Sequence, residues 1–195
     1  MSERQQRWNR HYQAAIAGYP SPALVLQQNQ HLLPKRGEAL DLACGLGANA
    51  LLLAERGLRT HAWDNSDVAL EKLSIEAERR QLRLETQQRD VIAAPPAAAS
   101  FDVIVVSQFL DRALCPNITA ALKPGGLLFY QTFCRLRRDN EGPKTAEFLL
   151  NDNELLDLFS TLSPRVDREE ALLGDIEHGW RNRAMLVAEK VGQDK

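Results

Sequence analysis

From Glu38 onward the chain alternates short apolar runs with helical stretches, and that alternation admits few folds. EALDLAC (38–44) and FDVIVVSQF (101–109) are apolar runs of the kind that form buried parallel strands, and RTHAWD (59–64) is another strand. LRLET (82–86) alternates in polarity as an edge strand does, and LLFYQTF (127–133) is the fifth strand. Between them, ANALLLAER (48–56) reads as a helix stopped by Gly57. Ser66 caps a helix through Arg80 with Leu70, Leu73 and Ala77 on one face, and a helix near 116–123 ends at Pro124-Gly125-Gly126. Asn151 and Glu154 have capping-box spacing ahead of a further helix. Two strand-like segments, 164–172 and 183–191, close the chain with no crossover helix between them, so one must run antiparallel. The expected fold is α/β: a doubly wound, mostly parallel seven-stranded sheet with helices on both faces and an antiparallel C-terminal strand.

The 195 residues suit one compact domain, with PPAAAS (95–100) as a loop inside it. Residues 2–17 read as an amphipathic helix with Trp8, Tyr12 and Ile16 on one side. Ser21 as N-cap and Pro22 at the first helical position predict a short helix to about His31. The 37 residues ahead of the sheet are too few for a second domain and suit a helical lid (1–37) over the sheet domain (38–195). A net charge of −2 argues against a surface that binds nucleic acid through bulk positive charge. Three cysteines, Cys44, Cys115 and Cys134, fit neither a disulfide framework nor a paired-thiolate zinc site, so a reducing compartment is expected. With no apolar run of signal-peptide or membrane-spanning length, the expected location is the cytoplasm. The histidines lack metal-ligand spacing, and no metal is assigned. Oligomeric state is not legible.

In an open α/β sheet, ligands sit at the carboxyl ends of the strands near the switch point. The first such place is DLACGLGANA (41–50), where Gly45 and Gly47 let the main chain approach a ligand and the next helix offers free N–H groups. Asp64 ends the second strand, where a carboxylate accepts from both ribose hydroxyls, or else caps the helix at Ser66. Asp41 stands where a dehydrogenase fingerprint carries an apolar residue. Asp90 is placed to accept from an exocyclic amine such as that of adenine, beside the Val91 N–H, or else to close an Asx turn.

The run Asp41-Leu-Ala-Cys-Gly45-Leu-Gly47, the acid-ended second strand, Asp90 and the Pro-Gly-Gly before the fifth strand resemble the Rossmann-like methyltransferases that use S-adenosylmethionine. DLACGLGANALLLAERG followed by AWDNS, with WNRHY (8–12) ahead, is similar to the small-molecule methyltransferases typified by the bacterial tellurite-resistance protein, although Leu46 and Ala48 depart from their more polar pattern. The resemblance implies S-adenosylmethionine as cofactor. It implies Gly45 and Gly47 along the methionine moiety, Asp41 at its amino group, Asp64 at the ribose, and Asn65 among the cofactor contacts. Asp90 and Val91 would receive the adenine, and Ser107 and Gln108 would border the sulfonium.

The implied reaction is methyl transfer to a small molecule. A sulfonium methyl is already activated, so the protein's task is to hold a nucleophile in line with the S–CH₃ bond. Thiolates and selenium or tellurium oxyanions need no base, whereas a hydroxyl does. His178, in the turn before the last strand, is the candidate base. Arg181 and Arg183 beside it, Arg135 and Arg138 in the basic segment RLRRDNEGPK (135–144), and Tyr12 are the candidate substrate contacts. Two other classes share some of these features: an NAD-dependent oxidoreductase and a nucleoside-binding module without turnover. The sequence after the fourth strand, Ser-Gln-Phe-Leu (107–110), lacks the Asn/Asp-Pro-Pro-Tyr/Phe pattern of adenine or glutamine amine methylation. Cys115-Pro116 reverses the Pro-Cys of cytosine-C5 methylation.

Overall fold

A computed structural model of the protein describes residues 2–14 and 19–192. Its strands are β1 (Glu38–Leu42), β2 (Arg59–Asp64), β3 (Leu84–Gln88), β4 (Phe101–Ser107), β5 (Leu122–Phe133), β6 (Ser163–Arg168) and β7 (Arg183–Glu189). The helices are α1 (Glu3–Ala14), α2 (Leu24–Asn29), α3 (Ala48–Glu55), α4 (Asp67–Arg79), α5 (Cys115–Ala121) and α6 (Glu154–Leu158). One seven-stranded sheet runs in the order β3-β2-β1-β4-β5-β7-β6. β1 to β5 pair in parallel, and β7 lies antiparallel between β5 and β6. The expected α/β sheet with its antiparallel C-terminal strand is therefore present. The chain winds outward from β1 through β2 to β3, then returns to β4 on the other side, so the switch point lies between β1 and β4.

Strand side chains alternate between two cores with the period of two that a pleated strand imposes. Leu40, Leu42, Ile104, Val106, Leu128 and Tyr130 pack with Ile118 of α5 and Leu155 of α6. Ala39, Val103, Val105 and Phe129 pack with Leu53 of α3 and with Val25 and Leu26 of α2. Helices thus cover both faces. Ser66 caps α4 as its sequence position predicts, accepting the Ala69 N–H.

Several boundaries differ from the sequence reading, each for a tertiary reason. The second helix begins at Leu24 with Ala23 as N-cap, not at Ser21-Pro22. Its first N–H groups find distant partners: Ala23 donates to Asn49 Oδ1 at 2.8 Å and Val25 to Gln131 Oε1 at 2.9 Å. Because α2 buries Val25 and Leu26 completely, it is a core helix, and the expected lid boundary at residue 37 falls inside the packed body. The expected Ile16 contact lies outside the described residues. β3 starts two residues late because the chain is still closing α4 there: Gln81 is left-handed (φ 59°) and the Leu82 N–H donates to the Ala77 carbonyl at 2.9 Å. β4 stops at Ser107 because Gln108 turns to φ 54°. α5 ends at Ala121 and β5 begins at Leu122, with Pro124-Gly125-Gly126 inside the strand. The Asn151 box is half formed. Glu154 Oε2 accepts the Asn151 N–H at 2.7 Å, but the Asn151 amide donates to that same carboxylate, and the N-cap of α6 is Asn153 in the left-handed region.

Candidate cofactor and acceptor site

The carboxyl ends of β1, β2 and β4 converge at the switch point. After β1 the chain turns at Ala43 (φ 55°), Gly45 (φ 54°) and Gly47 (φ 71°), and Gly47 starts α3 as its left-handed N-cap. Both glycines are required by space as well as by φ. A Cβ on Gly45 would lie 2.5 Å from the Tyr12 hydroxyl, and one on Gly47 would collide with the Leu73 side chain.

Two buried aspartates flank this loop. Asp64 accepts the Gly45 N–H through Oδ2 and the Ser66 N–H through Oδ1, both at 2.8 Å. It therefore pins the loop and caps the turn into α4, while each oxygen keeps a second lone pair for a ligand. Asp41 is completely buried and accepts the Ala50 N–H at 3.0 Å and the Asn49 amide at 3.3 Å. Burial, partly offset by those two hydrogen bonds, pushes its carboxyl up to about 8; burial also raises Asp64. Two carboxylates that resist ionisation beside a strand-end loop suit a cationic ligand, whose ammonium or sulfonium charge would stabilise the ionised forms. Next to Asp64, the Asn65 Nδ2 is buried without a partner among the described residues. An orphaned donor, a glycine cradle that a Cβ would fill and two desolvated acids fit a nucleoside carrying positive charge. Asp41 would hold the amino group, the glycine loop would lie along the methionine chain, and Asp64 with Asn65 would hold the ribose.

Asp90 shows the Asx turn in this structure, its Oδ1 accepting the Ile92 N–H at 3.1 Å and facing Arg4 at 3.5 Å, with Val91 buried beside it. Ser107 ends β4 with its hydroxyl 3.1 Å from Asn49 Nδ2, and the exposed Gln108 follows, its N–H on the Gln131 carbonyl.

The N-terminal segment lies along this edge. Arg4 meets Asp90, Asn9 bonds Asp67 at 2.6 Å and Ser66 at 2.7 Å, and Tyr12 sits on Gly45. The Tyr19 hydroxyl donates to the Leu46 carbonyl. Burial, followed by the nearby Asp64 carboxylate, holds the Tyr12 phenol well above its ordinary value and therefore neutral. Tyr12 thus packs against the glycine loop as a neutral phenol.

The four candidate arginines divide sharply. Arg181, with a side chain only 11% exposed, gives all five N–H groups to backbone carbonyls of His178, Glu170, Ala171, Leu173 and Asp175. It fixes the β6–β7 loop and has no donor left for a substrate. Arg183 pairs with Glu141 and lies 4.8 Å over the Phe133 ring. Arg138 is loosely paired, 3.4 Å from both Asp139 and Glu177. Arg135, among the described residues, has no side-chain partner and lines a shallow 420 Å³ depression with Leu136, Asn151 and Asp152. The basic segment 135–144 is stapled to itself and to Asn182. Arg137 donates to the Glu141 and Pro143 carbonyls, Asn182 accepts the Arg138 N–H at 2.7 Å, and the Asn182 amide donates to Asp139.

His178 is 84% exposed and sits 2.8 Å from Asp175, in the loop leading to β7. The strand this loop enters, β7, is separated from β1 by β4 and β5 in the sheet. The candidate base is thus a surface group paired to a neighbouring carboxylate. Sequence reasoning missed Asn49 and Asn9. Their signal was a lone amide inside the apolar ANALLLA run and one inside the aromatic WNRHY run.

Residues 39–126 match the family model described as a methyltransferase domain. A ubiquinone biosynthesis O-methyltransferase from Coxiella burnetii is 29% identical over 120 residues, 59% of this chain and 51% of that protein. The probable S-adenosyl-L-methionine-dependent methyltransferase TehB of Haemophilus influenzae is 33% identical over 89 residues, 44% of this chain and 31% of the relative. The crystal structure of TehB from Haemophilus influenzae superposes with a TM-score of 0.68 at 23% identity, covering 95% of this chain and 66% of that one. The chain thus spans about half the length of the first curated relative and under a third of the second. Domain match, sheet order and glycine loop agree: residues 39–126 carry a methyltransferase domain of the class I, Rossmann-like, S-adenosylmethionine-dependent kind.

Proposed function

We propose that the protein transfers a methyl group from S-adenosylmethionine to a small-molecule acceptor that is anionic or a soft nucleophile. The supporting observation is the pair of buried acids at the switch point: Asp41 and Asp64 flank the glycine loop with the unpartnered Asn65 amide beside them. When bound, the cofactor would supply a methyl activated by its sulfonium, which an acceptor's lone pair would take with release of a neutral thioether. The chain's own residues orient and desolvate. Asp41 holds the amino group and Asp64 the ribose, Asp90 and the Val91 N–H receive the adenine, and Ser107 and Gln108 border the transfer point. α1 and the Tyr19 segment close over this edge as the lid, which leaves α2 in the core.

The groups bonded to Ser107 and Gln108 are the Asn49 amide and the Gln131 carbonyl, neither of which takes a proton from a neutral hydroxyl. That favours an acceptor already carrying its lone pair, such as a thiolate or a selenium or tellurium oxyanion. Arg135 is the cation placed to attract it, with Arg138 secondary; Arg181, Arg183 and His178 have no part in this reading. Tellurite, selenite and a small thiol, each offered with labelled S-adenosylmethionine, test the acceptor class against a catechol. Arg135→Gln is expected to raise KM for the methylated anion about 3- to 10-fold, in the range of one surface charge acting on an approaching ligand. Affinity for S-adenosylhomocysteine should stay unchanged. Equal loss of both affinities rejects the role of Arg135, and methylation of the catechol alone rejects the acceptor class.

A further inference from the structure

We infer that Asn49 is a positioning residue whose one amide group holds the cofactor-side carboxylate of Asp41, the acceptor-side hydroxyl of Ser107 and the N-terminus of α2 in a fixed relation. The inference rests on the proposed cofactor reading and deepens it.

Asn49 is the second residue of α3 and is 4% exposed. Its Oδ1 accepts the Ala23 N–H at 2.8 Å, which fixes the amide's orientation, because the opposite flip would set two donors face to face. Nδ2 is then committed to its two remaining neighbours, Asp41 Oδ1 at 3.3 Å and Ser107 Oγ at 3.1 Å. Every hydrogen-bonding position of the amide that this environment offers is taken. Since the Ser107 oxygen accepts from Asn49, its own hydrogen is free to point into the site. The side chain therefore spans the switch point itself, from the end of β1 to the end of β4, and connects it to the segment that crosses the edge from Tyr19 to α2. Asn49 would do this work without touching the acceptor.

The amide is one of two donors that favour the ionised form of Asp41, the other being the Ala50 N–H. The remaining groups around that carboxyl oppose ionisation or are neutral: Asp64 of β2, the thiol of Cys44, and the phenols of Tyr12 and Tyr19. Removing the amide should push the Asp41 carboxyl further up. Cofactor affinity, which requires the ionised carboxylate facing the ligand's ammonium, should then rise with pH at a later point.

The test is titration of the full chain with S-adenosylhomocysteine between pH 6 and pH 9, for wild type, Asn49→Ala and Asn49→Asp. Wild type is expected to bind more tightly as pH rises. Asn49→Ala should displace that rising limb by about one unit, a loss of about tenfold near pH 7 that shrinks at higher pH. Asn49→Asp keeps the shape and the acceptor for the Ala23 N–H but turns a second oxygen toward Asp41 and Ser107, so it should displace the limb at least as far. A limb that stays in place in both variants, or a loss equal at every pH, would overturn the positioning role and leave Asn49 as a packing residue. If wild type fails to bind S-adenosylhomocysteine at any pH, it is the cofactor reading that falls.

Discussion

Asp64→Ala should weaken S-adenosylhomocysteine binding by about 10- to 150-fold, the equivalent of losing charged hydrogen bonds worth roughly 1.5 to 3 kcal/mol. Two effects add in that loss. The ribose hydroxyls lose their acceptor, and the Gly45 N–H, held by Asp64 Oδ2 at 2.8 Å, is released, so the glycine loop loses the contact that keeps its φ 54° turn in place. Asp64→Asn keeps the shape and removes the charge, but its single oxygen can serve only one of the Gly45 and Ser66 N–H groups, so its loss combines the charge with one of these two contacts. Isothermal titration of both variants checks the prediction. An unchanged dissociation constant in Asp64→Ala would exclude the carboxylate from the ribose.

The second large effect concerns stability and pH. Asp41, fully buried and pushed up from 3.8 to about 8, holds a proton in the folded chain that the unfolded chain gives up near pH 4. With the folded value raised above the unfolded one, an acid's stabilising contribution is present at low pH and is lost as pH rises toward the folded value. The slope is about 1.4 kcal/mol per pH unit. The ligand-free protein should therefore lose roughly 2 to 3 kcal/mol between pH 6 and pH 8. Asp41→Asn, with nothing to titrate, should flatten that dependence whatever its stability at neutral pH, and should bind S-adenosylhomocysteine more weakly. Chemical denaturation at several pH values measures it. A wild-type curve as flat as the variant's would show that Asp41 does not titrate in this window.

Sheet and cofactor loop were legible because local chemistry dictates them. Apolar runs such as 101–107 have one buried solution, a glycine pair after a strand needs positive φ, and Ser66 caps the helix that follows it. The start of α2 was not legible, because its N-cap, Ala23, is held through its N–H by the side chain of Asn49, 26 residues away in sequence. Arg181 and Arg135 illustrate the same limit on the acceptor side. Both read as free cations in a loop, and only the tertiary path of residues 170–178, which surrounds Arg181 with five carbonyls, distinguishes a structural cation from an available one. His178 read as a base from its neighbours in sequence, and the structure shows it as an exposed ring paired with Asp175, three residues away. Residues within one strand-loop-helix unit were predictable; roles set by the crossing of distant loops were not.

The most direct test of the cofactor claim is thermal unfolding in the presence of S-adenosylhomocysteine and, in parallel, of NADH. A ligand at about 100 times its dissociation constant adds roughly 2.7 kcal/mol, which for a domain of this size is a rise of about 5 to 10 °C in Tm. S-adenosylhomocysteine should produce that rise and NADH should produce none. Stabilisation by NADH without stabilisation by S-adenosylhomocysteine would contradict the account.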